Sequence, residues 1–149
     1  MEKNTDQFME AAIEQAFKSL RQDAIPVGAV LVQDQKIVAA GHDCQVQTKN
    51  PTAHAIIECI NNGGNLASYA NATIYCTLIP CYLCAGAMIQ LKIKRIIVGQ
   101  SRSMPGAKQL LEAHGIQVID LDLPECYDLL EKFIKEKPEV WQKNILRNQ

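Results

Sequence analysis

One histidine and two cysteines have the residue types and the spacing of a metal site. His54 follows a polar loop and opens a predicted helix, and Cys81 and Cys84 open the next helix after an intervening strand. Residues three apart lie on one helical face, and the positive end of the helix dipole favours thiolates there. Two thiolates and one imidazole make a three-ligand set for one Zn²⁺ per chain. That set leaves a fourth tetrahedral position for water, as catalytic zinc sites do.

The other four cysteines, Cys44, Cys59, Cys76 and Cys126, lack such a pattern. Disulfides are rare in a reducing compartment, so burial is the better expectation for them. Cys59 and Cys76 lie inside apolar stretches and fit that expectation.

The elements that must position these residues follow from periodicity and from Gly and Pro punctuation. Apolar residues at helical spacing predict a first helix over 8–20, which Ile25-Pro26 ends. Two short β-branched runs, 28–33 and 36–40, predict a hairpin, and 41–51 reads as a polar connection. The remaining predicted elements are helix 54–61, strand 73–77, helix 81–91, strand 94–98, helix 107–114, strand 116–120, helix 124–137 and helix 140–146.

This alternation predicts an α/β protein with a mixed sheet between helices. The chain has 149 residues and no internal repeat or long linker, so we expect one domain over residues 1–149.

Composition excludes several function classes. The net charge of −1 gives no electrostatic reason to expect nucleic-acid binding. No apolar run reaches the roughly 18–20 residues of a membrane span, and the polar N-terminus shows no secretory signal. We therefore expect a cytoplasmic protein that does not enter membranes.

The ligand spacing also carries a family resemblance. His54 and the Pro80-Cys81-Tyr-Leu-Cys84 segment fit the signature of zinc nucleobase deaminases. The chain resembles the zinc-dependent cytidine/deoxycytidylate deaminase superfamily over nearly its whole length. Segments 25–28, 51–55 and 77–89 carry the likeness, and the C-terminal part around Trp141 is most similar to the fungal-type cytosine deaminases.

The resemblance implies a cytidine-deaminase-like three-layer sandwich, with a five-stranded mixed sheet between helices, and a homodimer. It implies zinc held by His54, Cys81 and Cys84, and a free nucleobase such as cytosine as substrate. Asp43, Ala55 and Asn144 stand at the family's substrate-contacting positions. Asp43 replaces an amide of the family, and Asn144 replaces a carboxylate. Ionised Asp only accepts hydrogen bonds, whereas Asn both donates and accepts them, so we expect this pocket to bind a different edge of the base.

The family's proton-transferring glutamate is absent, because Ile56 occupies its position, and a second family acid is Ile79. One positioned acid–base group is typically worth about 10²–10⁴-fold in rate, so we expect deamination by this chain to be slow or absent. Glu58, four residues after His54, could face the same side. A solvated or salt-bridged surface glutamate is the simpler interpretation of that residue.

The leading hypothesis is thus a zinc-dependent hydrolytic deaminase fold that takes a free nucleobase. The alternative is a zinc-binding pseudoenzyme that binds a nucleobase or a partner without turnover. An RNA adenosine deaminase is a weaker hypothesis, because the near-zero charge and the helix around Trp141 favour a small closed pocket.

Overall fold

The computed structural model describes the backbone of residues 2–146 and the side chains of residues 7–144. Its elements, in chain order, are α1 (Glu2–Leu20), β1 (Gly28–Gln33), β2 (Lys36–His42), α2 (Gln45–Thr48), α3 (Ala55–Gly63), β3 (Ala72–Cys76), α4 (Tyr82–Leu91), β4 (Arg95–Val98), α5 (Lys108–Ala113), β5 (Gln117–Asp120), α6 (Pro124–Glu136) and α7 (Pro138–Leu146).

The strands form one five-stranded mixed sheet in the order β2-β1-β3-β4-β5. β1 runs antiparallel to both β2 and β3, and β3, β4 and β5 are parallel. Asp34 and Gln35 both have positive φ, of 53° and 64°, which suits the two-residue turns that match hairpin twist. The predicted hairpin and the predicted five-stranded mixed sheet are confirmed.

Helices cover both faces of the sheet, because successive strand side chains point to opposite faces. On β1, Val30 and Val32 pack with Met9 and Ala12 of α1. Leu31 belongs to a second buried cluster, which also contains residues of α3 and α4. The molecule therefore has the expected three layers, helix, sheet and helix.

Two glycines bring helices close to the hairpin. A Cβ on Gly28 would lie 2.1 Å from the Ala12 carbonyl oxygen of α1. A Cβ on Gly41 would lie 2.4 Å from the Cys59 backbone nitrogen of α3. Both α1 and α3 thus rest directly against the strands, and α3 is the helix that follows His54.

The segment 41–51, predicted as a polar connection, is partly regular. β2 extends to His42, and residues 45–48 form the short helix α2. Asp43 organises this turn, because its Oδ1 accepts the Gln45 backbone N–H at 3.0 Å. A four-residue helix is too short to leave a periodic sequence signal, so the prediction of a polar connection did not include α2. Within residues 2–146 no helix is both long and apolar enough to cross a membrane.

Candidate metal centre and adjoining cavity

The three sequence-predicted ligands meet where two helices begin. His54 occupies the N-cap position of α3, Cys81 occupies the N-cap position of α4, and Cys84 lies in the first turn of α4. His54 and Cys81 have extended backbones, so each lies just outside its helix. All three side chains are buried. Helix N-termini stabilise negative charge, which favours thiolates at this point.

The spacing of the three ligand atoms matches a tetrahedral zinc site. His54 Nδ1 lies 3.2 Å from Cys81 Sγ and 3.5 Å from Cys84 Sγ, and the two sulfurs are 3.9 Å apart. Zinc bonds of about 2.3 Å to sulfur and about 2.0–2.1 Å to nitrogen would place tetrahedral ligands roughly 3.5–3.8 Å apart. The arrangement is therefore suited to one zinc ion and supplies three ligands to it.

A backbone contact orients the histidine. His54 Nε2 lies 3.0 Å from the Pro51 carbonyl oxygen, which can only accept a hydrogen bond. Nε2 therefore carries a hydrogen, and Nδ1 is the nitrogen that faces the two sulfurs, where its lone pair would bind a metal. Such a second contact is the usual way in which proteins fix the tautomer and the ring orientation of a metal-binding histidine.

A hydrogen bond between the two sulfurs shifts the pKa values of Cys81 and Cys84 in opposite directions. The hydrogen bond with Cys84, and then that with His54, lower the pKa of Cys81 to about 4 against the opposing effect of burial. The same sulfur–sulfur hydrogen bond, together with burial, raises the pKa of Cys84. A divalent cation beside both sulfurs would stabilise both of them as thiolates.

A cavity adjoins the three ligands and gathers residues from distant segments. The polar residues that line it are His54, Cys81, Cys84, Asp43, Gln45 and Asn144. The rest of the lining is mainly apolar and comprises Ile25, Val27, Ala55, Ile56, Cys76, Leu78, Ile79, Pro80, Met104 and Trp141. An apolar pocket with a few convergent polar groups is the usual form of a small-molecule site.

Asp43 is a buried carboxylate whose two oxygens accept from one residue. Oδ1 accepts the Gln45 backbone N–H, and Oδ2 accepts Gln45 Nε2–H at 2.8 Å. Burial raises the pKa of Asp43 to about 6, and the two hydrogen bonds from Gln45 oppose that rise. The carboxyl group is therefore held rigidly in the cavity wall.

The last helix closes one side of the cavity. Trp141 and Asn144 of α7 both line it, and Asn144 is buried. Its Nδ2 donates to the Val140 carbonyl oxygen at 2.7 Å. The residues expected to contact substrate thus lie around one cavity beside the three candidate metal ligands. They are Asp43, Ala55 and Asn144.

Two apolar side chains line this cavity at the positions where the family resemblance implies acidic residues. Ile56 and Ile79 are each 1% exposed, and both line it. Glu58 is half-buried and is not among the lining residues. It lies beside Cys44, and burial followed by the Glu58 charge raises the pKa of that thiol to about 11.

Sequence reasoning did not find Gln45. Its side chain is 5% exposed and lines the cavity next to Asp43. The available signal was Asp43 two residues earlier, because an Asp side chain commonly accepts the backbone N–H two residues on and so fixes the turn.

Comparisons with known proteins agree with this geometry. A family model described as the cytidine and deoxycytidylate deaminase zinc-binding region matches residues 2–100. The chain is 35% identical over 140 residues to a cytosine deaminase of Candida albicans, covering 92% of this chain and 93% of that one. It is 32% identical over 149 residues to a tRNA-specific adenosine deaminase of Buchnera aphidicola, covering 92% and 99%.

A solved structure from a study of tRNA:A34 deaminases, which edit A to I at the wobble position of transfer RNA, superposes with a TM-score of 0.74. That chain is 28% identical, and the match covers 84% of this chain and 99% of the other. The fold is therefore shared over most of both molecules.

Proposed function

The chain belongs to the cytidine and deoxycytidylate deaminase family, and on that premise we propose that it binds a free nucleobase beside a zinc ion and deaminates it only very slowly. The observation that carries the proposal is Ile56, a buried hydrocarbon in the cavity beside the three metal ligands.

The metal part of the proposal rests on the matched ligand distances. His54, Cys81 and Cys84 would hold the ion, with the Pro51 carbonyl orienting the imidazole. When bound, zinc supplies a water acidic enough to act as a nucleophile near neutral pH. Burial of all three ligands favours a dry environment for that chemistry.

The cavity lining supports a small planar ligand. Trp141, Leu78 and Met104 offer apolar surface for a ring, while Asp43 and Asn144 offer hydrogen bonds to its edge. Ala55 lines the cavity beside the metal ligands. A free base suits these features better than RNA, because α7 contributes to the cavity wall and the net charge is −1.

The site lacks an acidic side chain at positions 56 and 79 for the proton transfers of deamination. Hydrolytic deamination must deliver protons to a ring nitrogen and to the departing amine. Isoleucine carries no such proton at position 56 or 79. Among the described residues that line the cavity, Asp43 is the one carboxylate, and each of its oxygens accepts a hydrogen bond from Gln45. Without an acid at position 56 or 79, turnover would rely on protons from Asp43 or from solvent.

The same observation favours a second candidate, a pseudoenzyme that holds a base without turnover. Two buried isoleucines make the cavity apolar where the family has acids, which suits holding a ring more than cleaving it. The two candidates differ in whether a restored glutamate produces turnover.

We also propose that two copies associate through α4. This helix is apolar on nearly all sides, which is typical of a helix buried on all sides. Yet Tyr82 is 63% exposed and Leu83 is 40% exposed, and a Cβ on Gly86 would meet nothing within 4 Å. The exposed α4 face, defined by these three residues, suits a second copy of the same helix at close approach.

The test of the proposed function is ammonia release from cytosine, isocytosine, adenine, guanine and a tRNA, by the zinc-loaded parent, by Ile56→Glu and by Ile56→Gln. We expect the parent to stay near background and Ile56→Glu to gain about 10²–10⁴-fold on one free base. Ile56→Gln has the same length but no transferable proton, so it should behave as the parent.

Parent turnover near the enzyme median of about 10 s⁻¹ would contradict the proposal. If Ile56→Glu holds zinc and base but releases no ammonia, the pseudoenzyme candidate is correct instead. Turnover confined to tRNA would establish the RNA-acting alternative.

A further inference from the structure

Gln45 carries a buried hydrogen-bond acceptor to which no residue in the described part of the chain donates. Its side chain is 5% exposed and lines the cavity. No described residue donates a hydrogen bond to its Oε1. Buried side-chain polar atoms normally have a partner in the protein or in ordered water. An acceptor without one in a cavity wall therefore points to a donor on the ligand.

The orientation of the Gln45 amide is fixed by Asp43. Nε2 donates to Asp43 Oδ2 at 2.8 Å, and the Gln45 backbone N–H donates to Oδ1 at 3.0 Å. Turning the amide around would place its oxygen against a carboxylate oxygen, with two acceptors facing one another. Oε1 is therefore held away from Asp43 and cannot be exchanged for the NH₂ group.

Asp43 and Gln45 together present two acceptors from one hydrogen-bonded unit. A carboxylate oxygen can accept more than one hydrogen bond, so Asp43 keeps capacity for a ligand. Nε2 and Oε1 share one carbon atom, so the free oxygen is adjacent to the carboxylate. Neighbouring acceptors on a cavity wall match a ligand edge with neighbouring donors.

We propose that Gln45 is a specificity-determining residue, whose Oε1 accepts an N–H of the base so that the cavity selects bases with two adjacent donors. A ring N–H next to an exocyclic amino group gives that edge, as in isocytosine and guanine. Cytosine and adenine lack it, because each exocyclic amine there neighbours an unprotonated ring nitrogen. The inference rests on the proposed function in that it requires a base in this cavity.

The test compares the affinities of two isomers, isocytosine and cytosine, for the zinc-loaded full chain by titration calorimetry. They contain the same atoms and differ in where the donors lie. We expect the parent to bind isocytosine at least about tenfold more tightly, the effect of one well-placed hydrogen bond. Gln45→Met keeps a similar volume without the acceptor, and should bring the two affinities within about threefold of each other.

Gln47→Met is the matched control. Gln47 follows on the same helix and also has a buried Oε1 without a partner among the described residues, but it does not line the cavity. This variant should keep the preference for isocytosine. If Gln45→Met fails to fold, 4(3H)-pyrimidinone serves instead on the parent, because it is isocytosine without the amino group. It should bind about tenfold more weakly than isocytosine.

Equal affinity of the parent for the two isomers would overturn the inference and leave the proposed function standing. A preference that persists in Gln45→Met would assign it to another residue and would likewise overturn the inference. Absence of binding by either base at millimolar concentration, with one zinc per chain confirmed, would overturn both the inference and the proposed function.

Discussion

The three candidate metal ligands stabilise one another in the folded protein. They are His54, Cys81 and Cys84. Each alone would be an isolated buried polar or ionisable side chain, which is costly to fold. The hydrogen bond from His54 Nε2 to the Pro51 carbonyl directs Nδ1 toward the two sulfurs. Metal binding at such a group contributes to folding, because the unfolded chain offers no preformed site.

We predict that Cys84→Ala lowers both the zinc content and the thermal stability of the protein. Removing one of three ligands should take zinc from one per chain toward zero and lower the Tm. Elemental analysis and thermal unfolding measure the two effects. Cys126→Ala is the control, since Cys126 is equally buried but packs in the cluster on the α1 side of the sheet. It should lose packing energy and keep its zinc. Full zinc occupancy in Cys84→Ala would contradict the assignment.

The sequence alone was enough to predict the candidate metal ligands, because their signal is local: a short spacing and a helix start. The cavity was less accessible, because its lining comes from segments far apart in the chain. Ile56 and Ile79 could be placed by resemblance, whereas Met104 and Leu78 carry no motif. Gln45 was missed because the four-residue helix that begins with it has no periodicity to detect.

The position of the candidate metal site depends on how closely the helices pack against the strands. Gly41 of β2 lies against the backbone of α3 at Cys59 and Glu58. That contact sets how closely α3, the helix that follows His54, packs against β2. The order and type of the long elements were predictable from alternating patterns. The close approach at Gly41 was not, because a glycine in a strand has several possible causes.

We therefore predict that Gly41→Ala destabilises the fold and weakens zinc binding together. Its Cβ would lie 2.4 Å from a backbone nitrogen, and a helix backbone cannot give way as a flexible side chain can. Overpacking typically costs about 1–3 kcal/mol. Urea unfolding and a zinc competition titration measure the two losses. Val38→Thr exchanges an exposed side chain on the same strand and should change neither quantity. Unchanged stability in Gly41→Ala would refute this account of α3.

Among the described residues, the exposed α4 face is an apolar surface that no other part of the fold covers. We predict that Leu83→Glu converts a dimer into a monomer, because it places a charge at the centre of an apolar contact. Light scattering should give about twice the 16.5 kDa chain mass for the parent and the single mass for the variant. Ile37→Glu replaces an exposed apolar residue of β2 and should remain dimeric. A monomeric parent at micromolar concentration would disprove the dimer.

The central claim is an open zinc centre with two sulfur ligands and one imidazole, and X-ray absorption at the zinc edge of the purified full chain tests it most directly. We predict two sulfur neighbours at about 2.3 Å and two lighter neighbours, nitrogen or oxygen, at about 2.0–2.1 Å. The second light neighbour is the ligand at the position that the protein leaves open. Three or four sulfur neighbours would indicate a different or closed site that recruits another cysteine. A shell without sulfur, or protein purified without zinc, would contradict the assignment of Cys81 and Cys84.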